Sequence, residues 1–190
     1  MILIYAFSNQ WGTNISHRTL LELQKLLSSP SCERGGQGEI GLFPTLSREG
    51  LGEGLVFRLI RFHPRQFFQK YISRNQYNLI IGLGDLYGNF SKIRIETQAK
   101  NAYNDQPIYP FSPIFLDLNL PNLDNFDSNY FAISSRMGTY NCNWMAYSIQ
   151  LYINQKHPDT KQIFLHLPKK SNATFLANQI KDLLQLNNLI

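Results

Sequence analysis

Cys142 stands where a loop gives way to a helix. Gly138-Thr139 has the composition of a turn, and from Asn143 onward Met145, Ile149 and Ile153, with Tyr152, recur at helical spacing. A thiol in the first turn of a helix feels the positive end of the helix dipole and the free N–H groups beside it. Both favour the nucleophilic thiolate. Taken alone, the residue reads first as a buried cysteine filling a small gap, because free cysteine is among the most buried residue types. Elsewhere a histidine and a carboxylate end short strand-like runs. His166 closes the apolar run Ile163-Phe164-Leu165, and Glu96 follows Ile93-Arg94-Ile95. An imidazole can take a thiol proton and a carboxylate can orient the imidazole. On its own, Glu96 reads as a solvent-facing strand carboxylate.

The residues around these three carry a resemblance. Gly138-Thr139-Tyr140-Asn141-Cys142-Asn143, then a helix, then Ile163-Phe164-Leu165-His166-Leu167-Pro168, resembles the nucleophile and histidine motifs of the pyroglutamyl peptidases (pyrrolidone-carboxylate peptidases). Upstream, Glu96-Thr97-Gln98-Ala99-Lys100-Asn101 is similar to that family's Glu-x-x-Ala-x-Asn. The resemblance implies a cysteine peptidase on an open α/β sandwich. Cys142 would attack, His166 would act as base and acid, and Glu96 would orient the imidazole. It also implies a peptide substrate with a blocked, pyroglutamyl N-terminus, with Phe7 and Tyr140 in substrate binding, and is compatible with a homo-oligomer.

The chain departs from the pattern in three places. Gln10 stands where the family's first loop has a second Phe, with Trp11 beside it, although Phe7, Gly12, Asn14 and Ser16 keep their places. Asp85 replaces a Gln whose neighbourhood contacts the substrate ring; an ionised carboxylate repels negative charge and offers no donor. Ala102-Tyr103-Asn104-Asp105 passes directly to Gln106-Pro107, so a segment framing the site is shortened. Two other readings follow: a related thiol amidohydrolase with altered N-terminal specificity, and a non-catalytic binding protein on the same fold.

The elements that must position these residues can be read along the chain. Ile2–Phe7, Leu55–Ile60, Tyr77–Gly84 running into a glycine turn, Ile93–Ile95, Tyr130–Ser134 and Lys161–Leu167 have strand character. Helical spacing follows Ser16 as a cap, follows His63-Pro64, runs on from Asn143, and covers 173–186. A weak helix is expected within 117–129. Strands alternating with helices predict a three-layer α/β/α sandwich with a mostly parallel, twisted central sheet, as one domain over 1–190. Residues 29–54 hold more than half of the glycines and lack periodicity, which predicts a surface loop.

Composition narrows the function classes. The net charge of +5 is spread along the chain, and its densest part, Arg58 to Arg65, lies at a strand-to-helix corner. No nucleic-acid motif accompanies it, so no nucleic-acid partner is expected. No apolar run approaches the roughly 20 residues of a membrane span, and no basic segment precedes the apolar start as in a secretory signal. Cys32 and Cys142, the two cysteines, are too few for a disulfide framework and point to a reducing, cytoplasmic setting. Four scattered histidines give no metal spacing, and Gly82-Leu83-Gly84 lacks the third glycine of a dinucleotide loop. Neither metal nor cofactor is expected.

Overall fold

The computed structural model describes residues 1–28 and 54–190, so the loop expected over 29–54 lies, apart from Gly54, outside the described residues. Apolar runs become strands wherever both faces can be covered. β1 (Ile2–Phe7) and β8 (Lys161–Pro168) have interiors buried almost throughout. Around them lie β2 (Leu55–Ile60), β3 (Leu79–Leu86), β4 (Ile93–Glu96) and β7 (Phe131–Ser134), giving a six-stranded sheet in the order β2-β1-β3-β8-β4-β7. β2, β1, β3 and β8 are parallel neighbours, and β4 and β7 are parallel to each other. Only the junction of β4 with β8 is antiparallel. The sheet is thus mixed and mostly parallel, as the alternation of elements predicts.

Helices cover both faces. α1 (Ile15–Ser28) and α4 (Ala173–Leu186) bury Leu20, Leu23, Leu176, Ile180 and Leu184 against one face, with Ile4, Ile81, Leu83 and Leu165. α3 (Asn141–Lys156) lies on the other, where Trp144, Met145 and Ile149 meet Leu3, Tyr5 and Phe164. The helix opened by His63-Pro64 joins that second layer. α2 (Pro64–Phe67) starts with the imidazole of His63 accepting from the Arg65 N–H at 3.2 Å and passes into a π-helical turn over Phe68–Ile72. No helix among the described residues is long and apolar enough to cross a membrane.

Three local expectations are corrected. Ser16 does not cap α1; it sits inside the helix, and the Asp85 carboxylate accepts its N–H at 3.0 Å. Gly82-Leu83-Gly84 is not a turn but the interior of β3, which runs on to Leu86. Residues 117–129 hold no helix. Asn122 and Asp127 side chains accept from the N–H groups of Asp124 and Asn129, the local competition that disfavours helix, while Leu120, Leu123 and Phe126 pack on the core from irregular chain. β5 (Gln98–Lys100) and β6 (Phe115–Asp117) pair as a separate antiparallel ribbon that the sequence does not announce.

Candidate active site

The register of the sheet lines up two rows of residues under α3. Tyr5, Gly82, Phe164 and Glu96 are successive partners across β1, β3, β8 and β4. Two residues along β3 and β8, Gly84 partners His166, which in turn partners Arg94. A two-residue step keeps side chains on one face, so Glu96 and His166 are diagonal neighbours on that face. Such a diagonal is within reach of long side chains. They meet: Glu96 Oε1 lies 2.8 Å from His166 Nδ1. Glu96 is wholly buried and His166 is 5% exposed.

The direction of β4 matters here. A parallel β4 would carry Glu96 to the carboxyl end of the sheet beside His166. Antiparallel β4 instead sets Glu96 opposite Phe164, and the carboxylate reaches diagonally back to the imidazole. An ionised carboxylate only accepts, so this contact places a proton on Nδ1 and leaves Nε2 as the basic nitrogen.

Cys142 arrives from above, in the first turn of α3. Gly84 makes room for it: a β-carbon there would lie 2.7 Å from the sulfur, and 3.1 Å from both Cδ2 of His166 and Cε1 of Phe164. Thiol and imidazole therefore share the bare surface of one glycine, and the ring atom facing that surface is Cδ2, next to Nε2. They are not hydrogen-bonded to each other among the described residues.

Asn143 fixes the turn that carries Cys142. Its buried side chain donates to the carbonyls of Lys100 and Ala102 at 2.8 and 2.7 Å and accepts from the Lys100 N–H at 2.8 Å. The shortened stretch after Asn101 braces the same turn. Asn104 N–H donates to the Thr139 carbonyl at 2.7 Å, and the Tyr103 hydroxyl donates to Asn141 Oδ1 at 3.0 Å. Asn101 holds the following loop through Tyr109 and Ser112.

The electrostatics correct one expectation. A helix start should favour a thiolate at Cys142, and its own backbone N–H does lower the thiol. Burial outweighs this: the thiol is pushed up from 9.0 to about 12, first by burial, then by the carboxylates of Asp85 and Glu96. Cys142 rests as a neutral thiol, although the residue keeps some exposure and forms no disulfide among the described residues.

Of the residues expected to bind substrate, Phe7 is half-buried at the end of β1, with its ring edge-on to Tyr5 at 6.2 Å between centroids. Tyr140 immediately precedes α3 and is 72% exposed; Trp11 is 61% exposed. His17 is hydrogen-bonded to Ser8 at 2.8 Å, and His157 ends α3 with its Nε2 3.2 Å from the Tyr152 hydroxyl, so neither joins the site. A cavity of about 240 Å³ adjoins the Cys142 turn, lined by Gln98, Lys100, Met137, Thr139 and Asn143, but by none of the three central residues.

Three solved structures show what the whole arrangement is similar to. Pyroglutamyl peptidase I of Bacillus amyloliquefaciens superposes with a TM-score of 0.68 at 18% identity, covering 99% of this chain and 92% of that one. The pyrrolidone carboxyl peptidase of Fervidobacterium islandicum AW-1 gives 0.68 at 18%, covering 99% and 97%. A mutant pyrrolidone carboxyl peptidase of the hyperthermophile Pyrococcus furiosus gives 0.71 at 18%, covering 99% and 98%. At this identity the likeness is one of fold. No protein-family model matches the chain, and no curated protein matches it.

Proposed function

We propose that this chain is a cytoplasmic cysteine omega-peptidase that hydrolyses an N-terminal pyroglutamyl residue from peptides, using Cys142, His166 and Glu96. The observation that carries this reading is the buried His166–Glu96 pair beside Cys142 over the bare face of Gly84. A neutral thiol, a nearby free imidazole nitrogen and a carboxylate orienting the ring are the parts of a thiol acyl-transfer site.

The steps follow from the protonation states. Substrate binding brings the acyl carbonyl to the sulfur. Nε2 of His166 takes the thiol proton as the S–C bond forms, and the imidazolium is stabilised by Glu96. Backbone N–H groups at the start of α3 face the developing oxyanion, at about 3 kcal/mol per donor. The C–N bond breaks as His166 returns the proton to the leaving amine. Water then gives a proton to His166 as its oxygen attacks the thioester; the C–S bond breaks, His166 returns the proton to the sulfur, and the free acid leaves.

The test is release of a fluorescent amine from a pyroglutamyl amide. Turnover abolished by alkylation, by Cys142→Ala and by His166→Ala is expected. Full turnover by Cys142→Ala sinks the assignment.

Asp85 favours a second reading, a thiol amidohydrolase with altered N-terminal preference. Its Oδ1 is held by the N–H and hydroxyl of Ser16 at 3.0 and 2.6 Å, and its charge bears on Cys142. A panel of N-terminally varied amides separates the two: the pyroglutamyl amide ranks first under one reading and not under the other.

A further inference from the structure

Among the described residues, six buried side-chain polar atoms have no hydrogen-bond partner, and three of them belong to Tyr5, Asp85 and Glu96. All three side chains interact electrostatically with Cys142. A buried polar atom left unpaired costs about 1–3 kcal/mol, so its persistence asks for a reason. Tyr5 is the least accountable of the three. It is wholly buried, its ring is packed edge-on or tilted against Phe7, Phe67 and Phe164, and a phenylalanine would fill the same space.

Its position gives the reason. The Tyr5 hydroxyl lies over Gly82, where a β-carbon would come within 2.6 Å of it, as the Cys142 sulfur lies over Gly84. The two glycines are one pleat apart on the same face, about 7 Å at strand rise. The Phe164 ring touches both, at 2.6 and 3.1 Å from the two β-carbon positions. The sulfur also feels the carboxylates of Asp85 on β3 and Glu96 on β4, and it shares the Gly84 surface with His166 on β8. The two carboxylates oppose a thiolate; His166 removes the proton. The site therefore makes a thiolate costly and leaves one neutral O–H donor beside it unused.

We propose that Tyr5 is a positioning residue for the nucleophile: once His166 takes the thiol proton, the Tyr5 hydroxyl donates to the Cys142 thiolate. The Tyr5 hydroxyl is unpaired in the resting state, when a neutral thiol is only a weak acceptor. Burial raises the Tyr5 phenol well above its ordinary range, which keeps it a donor throughout. No bond to the Tyr5 proton breaks; it holds charge in place while His166 holds the proton. The role rests on Cys142 being the nucleophile.

The test is Tyr5→Phe, which removes an oxygen that has no partner among the described residues and leaves the packing intact. The rate of Cys142 alkylation by neutral iodoacetamide is followed from pH 7 to 10, with Tyr147→Phe as control, since that hydroxyl donates to the Pro113 carbonyl away from the thiol. Tyr5→Phe is expected to slow alkylation at every pH by about ten- to a hundredfold, the range of a hydrogen bond to a charged acceptor. Its melting temperature should hold or rise, and kcat on a pyroglutamyl amide should fall by a similar factor with KM little changed. Tyr147→Phe should leave the alkylation profile in place. Superposable profiles for Tyr5→Phe and the parent overturn the proposal. A shifted profile with no amide hydrolysed by the parent upholds the donor role and sinks the peptidase reading instead.

Discussion

A β-carbon on Gly84 would stand 2.7 Å from the sulfur of Cys142. The strand therefore carries no side chain at the one place where α3 lowers its first turn onto the sheet. Gly84→Ala should push the sulfur away from His166 or drive α3 off the sheet, because Phe164 and His166 at 3.1 Å leave no lateral room. Overpacking of this kind costs about 1–3 kcal/mol. The expected outcome is a lower denaturant midpoint together with a loss of turnover of at least a hundredfold. Full activity in the alanine variant would show that thiol and imidazole need not share this surface.

The raised thiol makes a pH prediction with a definite sign. With Cys142 pushed from 9.0 to about 12, alkylation should climb steadily between pH 7 and 10 without the neutral plateau of an activated thiolate. Stability carries the same signature. The folded thiol holds its proton where the unfolded one has lost it, so its contribution is complete below pH 9.0 and is lost as pH rises toward about 12. Thermal melts at pH 8 and 10.5 should fall less for Cys142→Ala than for the parent.

Much of this fold can be read from patterns that survive burial. Ile2–Phe7 and the run through Ile163-Phe164-Leu165 are strands in any sheet, and the spacing over 173–186 matches α4 from end to end. Cys142 at a helix start follows from Gly138-Thr139 and the periodicity after Asn143. The direction of β4 is not legible, because side chains alternate identically in either sense, and so the diagonal between Glu96 and His166 is not legible either. The unbroken apolar run of β1 likewise hides that Tyr5 faces α3. Gly82 and Gly84 look like a turn because glycine breaks patterns, yet here they clear space for a tyrosine and a cysteine from other elements. The thiol's state depends on a balance of burial against dipole that only the packed structure sets.

Glu96→Gln separates two effects of one carboxylate. As the partner of Nδ1 it orients His166, and its loss should lower kcat by two to four orders of magnitude. As a charge near the sulfur it raises Cys142, so the same variant should be alkylated faster at a given pH. Turnover falling while alkylation rises is the expected pair of results. If both fell together, the carboxylate would be a folding element rather than an orienting one.

Asn143 is a structural anchor with consequences for the site. Its three bonds to Lys100 and Ala102 are buried, so Asn143→Ala leaves those backbone groups without partners. A cost of about 2–4 kcal/mol follows from groups of this kind. Urea unfolding should show it, and kcat should fall more than KM rises, since the first turn of α3 loses its tie to the β5 segment. Asn143→Asp keeps the acceptor but not the donors and should recover only part of the stability.

Asp85→Asn isolates charge from shape. Asparagine still offers an Oδ1 to the Ser16 N–H, so α1 keeps its tertiary cap, while the negative charge acting on Cys142 is removed. The thiol should fall toward its ordinary range, because Asp85 is the larger of the two carboxylate influences. Anionic iodoacetate should gain more than neutral iodoacetamide, by about tenfold for one charge at this range in a partly solvated site. Amides with a neutral N-terminal ring should be hydrolysed faster than by the parent. If the ratio of iodoacetate to iodoacetamide rates is unchanged, the field of Asp85 does not reach the mouth of the site and does not select its substrate.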